Sequence, residues 1–430
     1  MDVAGDGTRT DFDAGDAAQT TGTLVYSDGD LGDLLTTSIV GQSVSYADAS
    51  GGDRTGLLSP AMVAALKGGF AMPTGAVGGN AGSSTWSYSL ADDALHGLGR
   101  GESATVTTTV QVDDGHGGTA RQDVVVTLKG SNDAPTFTSA PARVAVLETA
   151  GSTGSATALT LQGTASFADR DLTDAHSVSV SMQGRGFIGA MSAAIVADTT
   201  GGGAGRLVWT WNAPDKALDF LAAGQTLDQT YTLTLSDGQG GLVRQDVTVT
   251  LVGSDDLPTI TGSAGATWYE GAAVNHSRSG TLAFADADLS DHLTVSVAGQ
   301  SLSYVTAAGV DLSASLTPDQ IAALKAAFTM PTGDLGANKG SATWTYAIAD
   351  TALDFIGQND ALKLVTTVVA DDGHGGSAQQ AVTITLKGVN DAPTIKGYAP
   401  GDAAIAGTVT EKAGVFGDAG LQQTGGAFAF

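Results

Sequence analysis

The chain has no cysteine, which excludes disulfide bonds, thiolate metal sites and cysteine nucleophiles. Basic residues are also scarce: 19 Lys and Arg stand against 45 Asp and Glu, which gives a net charge of −26. Such a surface repels phosphate, so we expect no nucleic-acid partner, and cations are the natural counter-ions. No apolar run reaches the roughly 18 residues of a membrane span, so no membrane insertion is expected.

Glutamate is almost absent. The only four are Glu102, Glu148, Glu270 and Glu411, so 41 of the 45 acids are Asp. Helix surfaces favour Glu, whereas turns and calcium loops favour Asp. The sequence also lacks a phosphate-binding loop, a His-Glu-x-x-His zinc helix and a Gly-x-Ser-x-Gly elbow. We therefore expect a protein of strands and turns that is not an enzyme.

Three motifs recur in the same order, which predicts tandem repeats. Each repeat has an Asp-x-Asp pair, then a Gly-rich turn that begins with Asp, then a linker of two acids or amides before x-Pro. The pairs are Asp28 and Asp30, Asp169 and Asp171, and Asp286 and Asp288; the turns begin at Asp114, Asp237 and Asp372; the linkers are Asn132-Asp133, Asp255-Asp256 and Asn390-Asp391.

These motifs divide the chain into units. The predicted repeats are residues 1–135, 136–258 and 259–393, and residues 394–430 begin a fourth that is cut short. The first repeat lacks the leading segment that carries Glu148 and Glu270 in the next two. The chain is therefore expected to be a fragment of a longer array.

Alternation of apolar and polar residues predicts strands within each unit. Tyr231–Leu235 and Val247–Leu251 alternate on either side of a Gly-rich turn, which predicts a hairpin. About seven strands in roughly 125 residues predict an antiparallel β-sandwich. The expected fold class is all-β, with tandem Ig-like, cadherin-like sandwiches arranged as an extended array.

One short helix is predicted inside a repeat. Thr317 suits the N-cap, Pro318 the first helical position, and Gln320 completes a capping box. Ile321, Leu324 and Phe328 would then share one face. The first repeat echoes this pattern from Ser59 to Phe70, and the second has a weak version near Gly189–Ala197.

The recurring Asp residues are the candidate ligands. In an extended segment, residues i and i+2 point to the same side, so both carboxylates of a pair can face one cation. The alternative is a polar turn in which Asp side chains accept local backbone N–H groups. Ca²⁺ takes 6–8 oxygens, and recurring Asp-rich irregular backbone supplies them. His116 and His374 occupy equivalent turn positions, but Gln239 replaces them in the second repeat, so we expect turn residues there.

The ordered motifs resemble those of cadherin-like modules. The stretch from Leu227 through Tyr231 and Asp237 to the linker is similar, more closely, to the VCBS repeat of large bacterial RTX-type adhesins. The resemblance covers nearly the whole chain. It implies an extracellular or bacterial cell-surface location and export by a type I system, although Gly-Gly-x-Gly-x-Asp nonapeptides are absent.

The resemblance further implies calcium ions between consecutive repeats. The junction of repeats 1 and 2 would use Asn132, Asp133, Asp169, Asp171 and Asp237; the next would use Glu148, Asp219, Asp255, Asp256, Asp286, Asp288 and Asp372; the last retains Glu270, Asp354, Asn390 and Asp391; and Asp28, Asp30 and Asp114 are the equivalents in repeat 1. Asp92 or Asp93 matches Asp219 only loosely. Two or three Ca²⁺ would balance four to six carboxylates at the second junction.

The expected function is a calcium-rigidified repeat region of a secreted or surface adhesin, which contacts a host surface, an abiotic surface or polysaccharide through its parent protein and contacts adjacent repeats in cis. One alternative is a set of carbohydrate-binding modules that stack polysaccharide on the five tryptophans, Trp86, Trp209, Trp211, Trp268 and Trp344. Core packing is the favoured role for these residues because three recur in one strand. Another alternative is the non-catalytic part of an exoenzyme.

Overall fold

The computed structural model describes residues 7–10, 18–91, 94–271 and 275–392. The predicted fourth repeat at 394–430 and the pair Asp92 and Asp93 lie outside these residues. The chain forms two compact units, Met1–Ser254 and Asp255–Phe430. Among the described residues, no helix is long and apolar enough to cross a membrane.

Among the residues that the structure describes, the first unit begins with eight strands and one α-helix. They are β1 (Gly7–Thr10), β2 (Ala18–Ser27), β3 (Thr36–Ala47), α1 (Pro60–Gly68), β4 (Phe70–Ala71), β5 (Gly75–Ala76), β6 (Ala81–Leu90), β7 (Ser103–Asp113) and β8 (Thr119–Lys129). One sheet has the order β1-β8-β7-β3-β5 and the other β2-β6-β4. Leu24, Tyr46, Trp86 and Val126 are among the side chains buried in this core.

The same unit continues with eight more strands. They are β9 (Thr136–Phe137), β10 (Ala142–Leu147), β11 (Ala158–Ala168), β12 (Ser177–Met182), β13 (Ala190–Ala197), β14 (Gly205–Pro214), β15 (Thr226–Ser236) and β16 (Leu242–Val252). Their sheets have the orders β10-β16-β15-β12 and β13-β14-β11-β9. The predicted hairpin is confirmed as β15 and β16, and Gly240 in its turn has a φ of 119°, which favours glycine.

The second unit is another sandwich. Its elements are β17 (Thr259–Gly262), β18 (Gly265–Tyr269), β19 (Asn275–Ala285), β20 (Thr294–Val305), α2 (Pro318–Ala326), β21 (Phe328–Thr329), β22 (Gly333–Asp334), β23 (Lys339–Ala349), β24 (Ala361–Asp371) and β25 (Ser377–Lys387). The sheets have the orders β17-β19-β23-β21 and β18-β25-β24-β20-β22. The predicted all-β sandwich class is therefore confirmed.

The structure adds a parallel pair to each sandwich. Strand β1 pairs with β8, β10 with β16, and β18 with β25, all parallel, whereas the other ladders are antiparallel. In each case an early strand of the sandwich lies beside its last strand. Alternation of side chains along a strand does not distinguish the two directions, because both give a period of two.

All five tryptophans are buried in the cores, as favoured above, so none is available to stack on a sugar. Three of them lie opposite a glycine on the neighbouring strand: Trp86 on Gly22, Trp209 on Gly163 and Trp344 on Gly280. A Cβ at Gly163 would lie 2.2 Å from Trp209 Cζ2, so the glycine makes room for the ring.

The inserted helix agrees with its capping signals. Helix α2 has Thr317 as N-cap with a complete capping box to Gln320, and α1 has Ser59 in the same role. Leu324 is the buried residue of α2, but Phe328 lies beyond the end of the helix, in β21. The helix predicted at Gly189–Ala197 is wrong. This segment is strand β13, paired with β14, and it has neither a proline nor a cap to begin a helix.

Candidate metal centre

Each Asp-x-Asp pair folds into the same local turn. The Oδ1 atom of the first Asp accepts the backbone N–H of the second, at 2.8 Å for Asp28, 3.0 Å for Asp169 and 2.9 Å for Asp286. The polar-turn interpretation is therefore correct for one oxygen of each first Asp. The remaining carboxylate oxygens decide whether these turns can also bind a cation.

The acid set of repeat 2 consists of Asp169, Asp171 and Asp174. Carboxylate oxygens of these three residues lie within 4.8 Å of one another. Asp171 Oδ2 accepts the N–H of Asp133 at 2.9 Å, but Asp171 Oδ1 and Asp174 Oδ2 are buried with no hydrogen-bond partner. Burial raises the pKa of Asp171 to about 8 and that of Asp174 to about 6, with further contributions from the neighbouring carboxylates.

The linker of repeat 1 contributes directly to this region. Asn132 Nδ2 donates to Asp237 Oδ2 at 2.9 Å, while Asn132 Oδ1 is buried without a partner. Asp133 has its Oδ2 atom 2.9 Å from His96 Nδ1. Asp237 Oδ1 is already occupied by three backbone N–H groups of its own turn, from residues 239, 240 and 241. The five residues predicted for this junction therefore lie in one connected network.

The acid set of repeat 3 has the same design within the second unit. Oxygens of Asp286, Asp288 and Asp291 lie within 4.8 Å of one another, and Asp288 Oδ2 accepts the N–H of Asp256 at 2.9 Å. Asp286 Oδ2 and Asp288 Oδ1 are buried with no hydrogen-bond partner. Burial raises the pKa of both Asp286 and Asp288 to about 6, again assisted by nearby carboxylates.

Two further predicted residues lie beside this set. Asp372 Oδ1 accepts three turn N–H groups, from residues 374 to 376, and its buried Oδ2 has no hydrogen-bond partner. Asp255 joins a second group with Asp291 and His374, whose ligand atoms also lie within 4.8 Å of one another. Burial and the charges of Asp372 and Asp291 raise the pKa of Asp255.

The acid set of repeat 1 is more open. Asp28, Asp33 and Asp114 have oxygens within 4.8 Å of one another and are half-buried. Asp30 is exposed and is not a member of this group. Asp114 uses Oδ1 to accept backbone N–H groups of its turn, from His116 and Gly118.

The predicted Glu residues occupy equivalent buried positions in the two units. Glu148 accepts the N–H of Ser254 at 2.9 Å, and its carboxylate lies within 4.8 Å of that of Asp219. Glu270 accepts the N–H of Val389 at 2.9 Å, and its Oε2 is buried without a hydrogen-bond partner. Burial raises the pKa of Glu270 to about 7. The remaining residues of this last group are exposed: Asp354, Asn390 and Asp391.

The oxygen atoms of these residues suit a hard divalent cation as ligands. The unpartnered atoms around the Asp-x-Asp turns are carboxylate or amide oxygens, the ligand type of Ca²⁺ and Mg²⁺. A buried carboxylate without a hydrogen bond is costly as an anion, and the raised pKa values express that cost. A bound cation would remove it. The irregular turns and the many available oxygens favour Ca²⁺ over Mg²⁺, which requires near-ideal octahedral geometry.

The third Asp of each set is not among the ligands predicted from the sequence. Asp174 and Asp291 are as deeply buried as the Asp-x-Asp residues, and Asp33 joins the open group of repeat 1. Their recurrence three residues after each pair was the available signal. Glu102 was also missed: it is buried between Tyr46, Gly99 and Thr173, and accepts hydrogen bonds from all three.

Comparison with solved structures gives matches of low identity and low TM-score. No family model and no curated protein matches the chain. The human desmocollin-1 ectodomain is 14% identical, with 84% of this chain and 56% of that chain covered and a TM-score of 0.31. Human CDH23 EC21-23 is 15% identical, with 88% and 97% covered and a TM-score of 0.31. Protocadherin gammaB7 EC3-6, in a cis-dimer structure, is 15% identical, with 92% and 75% covered and a TM-score of 0.33.

The chain thus spans just over half the length of the desmocollin-1 ectodomain. Identities and TM-scores this low carry no conclusion about function.

Proposed function

We propose that the chain is a calcium-binding repeat region of an extracellular adhesion protein. The observation that carries this proposal is the set of buried, unpartnered carboxylate oxygens in the acid sets of two repeats: Asp171 Oδ1 in one, and Asp286 Oδ2 and Asp288 Oδ1 in the other. Three or more carboxylates share each site, and ionising them together in the absence of a cation is unfavourable.

Calcium would also stiffen the link between repeats 1 and 2. The linker residues Asn132 and Asp133 belong to repeat 1, and they contact Asp237 and Asp171 of repeat 2. An ion held by Asp171 and Asn132 Oδ1 would therefore have ligands on both sides of the link. Extracellular calcium modules bind at roughly 10⁻⁴–10⁻³ M, so the ion would be held outside cells and lost at trace calcium.

The parent protein would be a secreted or surface-anchored bacterial adhesin in which this region acts as a spacer with no catalytic role. The motif order that resembles VCBS repeats supports this part of the proposal. Carbohydrate binding through the tryptophans is disfavoured because all five are buried. A non-catalytic region of an exoenzyme would have the same acid sets, and the sequence of the parent chain distinguishes it from an adhesin.

Thermal unfolding of the chelator-treated chain tests the proposal. Millimolar Ca²⁺ should raise the melting temperature by several degrees, since ligand at a hundredfold excess over Kd adds about 2.7 kcal/mol per site. Mg²⁺ should act much more weakly. Identical melting curves with Ca²⁺ and with chelator would rule the proposal out.

A matched pair of variants locates the effect. Asp286→Asn with Asp288→Asn removes two charges from the third acid set and should reduce the calcium response. Asp319→Asn with Asp334→Asn removes two charges from exposed positions outside the sets and should leave the response unchanged. Equal responses from the two double variants would contradict the assignment of the third set.

A further inference from the structure

The three repeats differ at one position of an equivalent loop. The loop is recognised by the same backbone hydrogen bond in each repeat, in which a buried aliphatic residue donates its N–H to the carbonyl oxygen three residues earlier; these residues are Leu98, Leu221 and Ile356. The residue immediately before them is Gly97 in repeat 1, Phe220 in repeat 2 and Phe355 in repeat 3. Repeat 1 therefore lacks a side chain where the other two have a large aromatic ring.

The two phenylalanines pack onto their own repeats. Phe220 and Phe355 are half-buried, and each packs against the apolar core of the repeat that contains it. The ring of Phe355 meets that of Tyr304 edge-on, with the two centroids 5.8 Å apart. Tyr46 is the equivalent tyrosine of repeat 1, because its hydroxyl donates to Gly97 O just as that of Tyr304 donates to Phe355 O. Glycine offers no ring to this tyrosine, so the loop of repeat 1 leaves the place beside its core open.

A leucine from repeat 2 packs at this place. Leu172, which follows the Asp-x-Asp pair of repeat 2, belongs to the buried core of repeat 1 together with Tyr46. A Cβ added to Gly97 would lie 3.4 Å from Leu172 Cδ1 and 2.4 Å from Met62 Cε. The interior is close-packed, so a side chain larger than a methyl group at this position has to displace Leu172, Met62 or both.

A polar contact holds the residue after the leucine. The hydroxyl of Thr173 donates to Glu102, which also accepts hydrogen bonds from two groups of its own repeat. Glu102 lies five residues after the loop glycine, and Asp360 has the same position after the loop phenylalanine of repeat 3. The shorter carboxylate of Asp360 accepts from Tyr304 and from the N–H of Ala307, both in its own repeat. Repeat 1 thus offers a glycine and a longer acid, and both contact repeat 2.

We propose that Gly97 is the specificity-determining residue of a domain–domain interface. Glycine at this position opens repeat 1 to the leucine of the next repeat, whereas phenylalanine, as in repeats 2 and 3, closes the same place with a side chain of the repeat itself. The partner that fits this surface is a neighbouring sandwich with leucine after its Asp-x-Asp pair. The inference goes beyond the proposed calcium function, because the contact between Gly97 and Leu172 holds repeats 1 and 2 in one orientation without a cation.

Distance measurements between two spin labels test this interface. The chain has no cysteine, so Ser43→Cys in repeat 1 and Ser192→Cys in repeat 2, both at exposed positions, carry the labels. In chelator, pulsed EPR of the labelled chain should give one narrow distance distribution. Gly97→Phe should broaden it, because the ring takes the place of Leu172 and frees the link. Gly56→Phe is the matched control and should leave the distribution narrow, since a Cβ there meets no atom within 4 Å.

Melting temperatures in chelator show whether Leu172 has left its place. Leu172→Ala should lower the melting temperature of the wild type, because it removes a buried side chain. In the Gly97→Phe background the same change should have little effect, since Leu172 is then already outside the core of repeat 1. Equal decreases in the two backgrounds would show that the phenylalanine does not displace Leu172, and would overturn the inference.

The outcomes separate this inference from the calcium function, because both measurements are made in chelator. A broad distribution for the chain without Gly97→Phe would overturn the interface and leave the calcium function intact. A narrow distribution that Gly97→Phe broadens, in a chain whose melting does not respond to Ca²⁺, would overturn the calcium function and support the interface.

A second variant covers a failure of Gly97→Phe to fold. Met62 and Gln320 occupy the same position of their helices, since the N–H of each donates to the side chain of the N-cap residue. Met62→Gln together with Gly97→Phe therefore installs the pair found in repeat 3 and removes the clash with Met62 Cε. Repeat 3 folds with this pair, so failure of the double variant to fold would contradict the equivalence of the loops and overturn the inference.

Discussion

The backbone N–H of Leu172 donates to the carbonyl oxygen of Gly97 across 3.3 Å, which joins the Asp-x-Asp turn of repeat 2 to repeat 1. The Leu172 side chain lies in the apolar core of repeat 1 and is only 8% exposed. The equivalent residues of the other repeats, Leu31 and Leu289, are 92% and 66% exposed. The first link of the chain therefore has an apolar contact that needs no cation.

Replacing Leu172 should weaken this link at any calcium concentration. Leu172→Ala removes a buried side chain and should cost about 2–3 kcal/mol of unfolding free energy, toward the lower end for a large-to-small core change. Urea unfolding in Ca²⁺ and in chelator measures the effect, which should be of similar size in both. Leu31→Ala is the matched control and should fall within about 0.5 kcal/mol of wild type. A loss seen only in chelator would contradict a cation-independent contact.

Substitution of the glycines opposite Trp86, Trp209 and Trp344 should destabilise the fold. Gly163→Ala places a Cβ 2.2 Å from Trp209, in the centre of a sandwich, so the ring or the strand must shift. We expect a destabilisation of about 1–3 kcal/mol, the usual range for overpacking. Gly299→Ala is the control, because a Cβ there meets no atom within 4 Å. Equal stability of the two variants would show that the close contact is easily relieved.

Stability in chelator should fall as the pH rises. The pKa of Asp171 is raised by burial from 3.8 to about 8, and those of Asp286 and Asp288 to about 6. An acid whose pKa is raised in the folded state holds its proton more tightly when folded. Its contribution to stability is fully present below the unfolded-state pKa and is lost as the pH rises through the folded-state pKa. The melting temperature in chelator should therefore decrease between pH 5 and pH 8.

Calcium should reverse this trend because it binds the ionised carboxylates. The increase in melting temperature on adding Ca²⁺ should be larger at pH 8 than at pH 5, and binding at intermediate pH should release protons into the buffer. Asp171→Asn should flatten the dependence seen in chelator. A melting temperature in chelator that rises steadily from pH 5 to pH 8 would contradict the raised pKa values.

The tryptophans should be inaccessible to solutes. Trp209, Trp211 and Trp344 are at most 1% exposed, so acrylamide should quench the fluorescence of the folded chain only weakly. Soluble polysaccharide should leave both the emission maximum and the intensity unchanged. A shift on addition of a polysaccharide would favour the carbohydrate-binding alternative.

Much of the fold could be predicted from the sequence because its signals are local. The alternation in Tyr231–Leu235, the capping box at Thr317 and Gln320, and the glycines after Asp237 each determine a neighbouring piece of structure. The helix predicted near Gly189 failed because a short apolar segment suits a strand equally well, and pairing with β14 decides between the two. The parallel pairs depend on contacts between distant strands, which no local pattern encodes.

The acid sets were only partly predictable. Recurrence marked Asp171 and Asp288, but it could not show which oxygens the turns already use. The contacts of the His176 ring with Asp169 and Asp198 were not visible in the sequence either. Asp198 lies 22 residues from His176 along the chain, so no local pattern links the two. The division into four repeats and the ligand roles of the acids remain predictions.

The parallel pairing of early and last strands determines how each sandwich would bear tension. Ala142–Leu147 of β10 runs alongside Val247–Val252 of β16 in unbroken register. Opposite forces applied through the segments before β10 and after β16 act along these strands, at right angles to most of their hydrogen bonds. The bonds are then loaded in shear and must break together, whereas a hairpin pulled at its open end unzips one bond at a time. Each sandwich of the chain thus has one pair of parallel strands whose hydrogen bonds would resist a pull along the chain in shear.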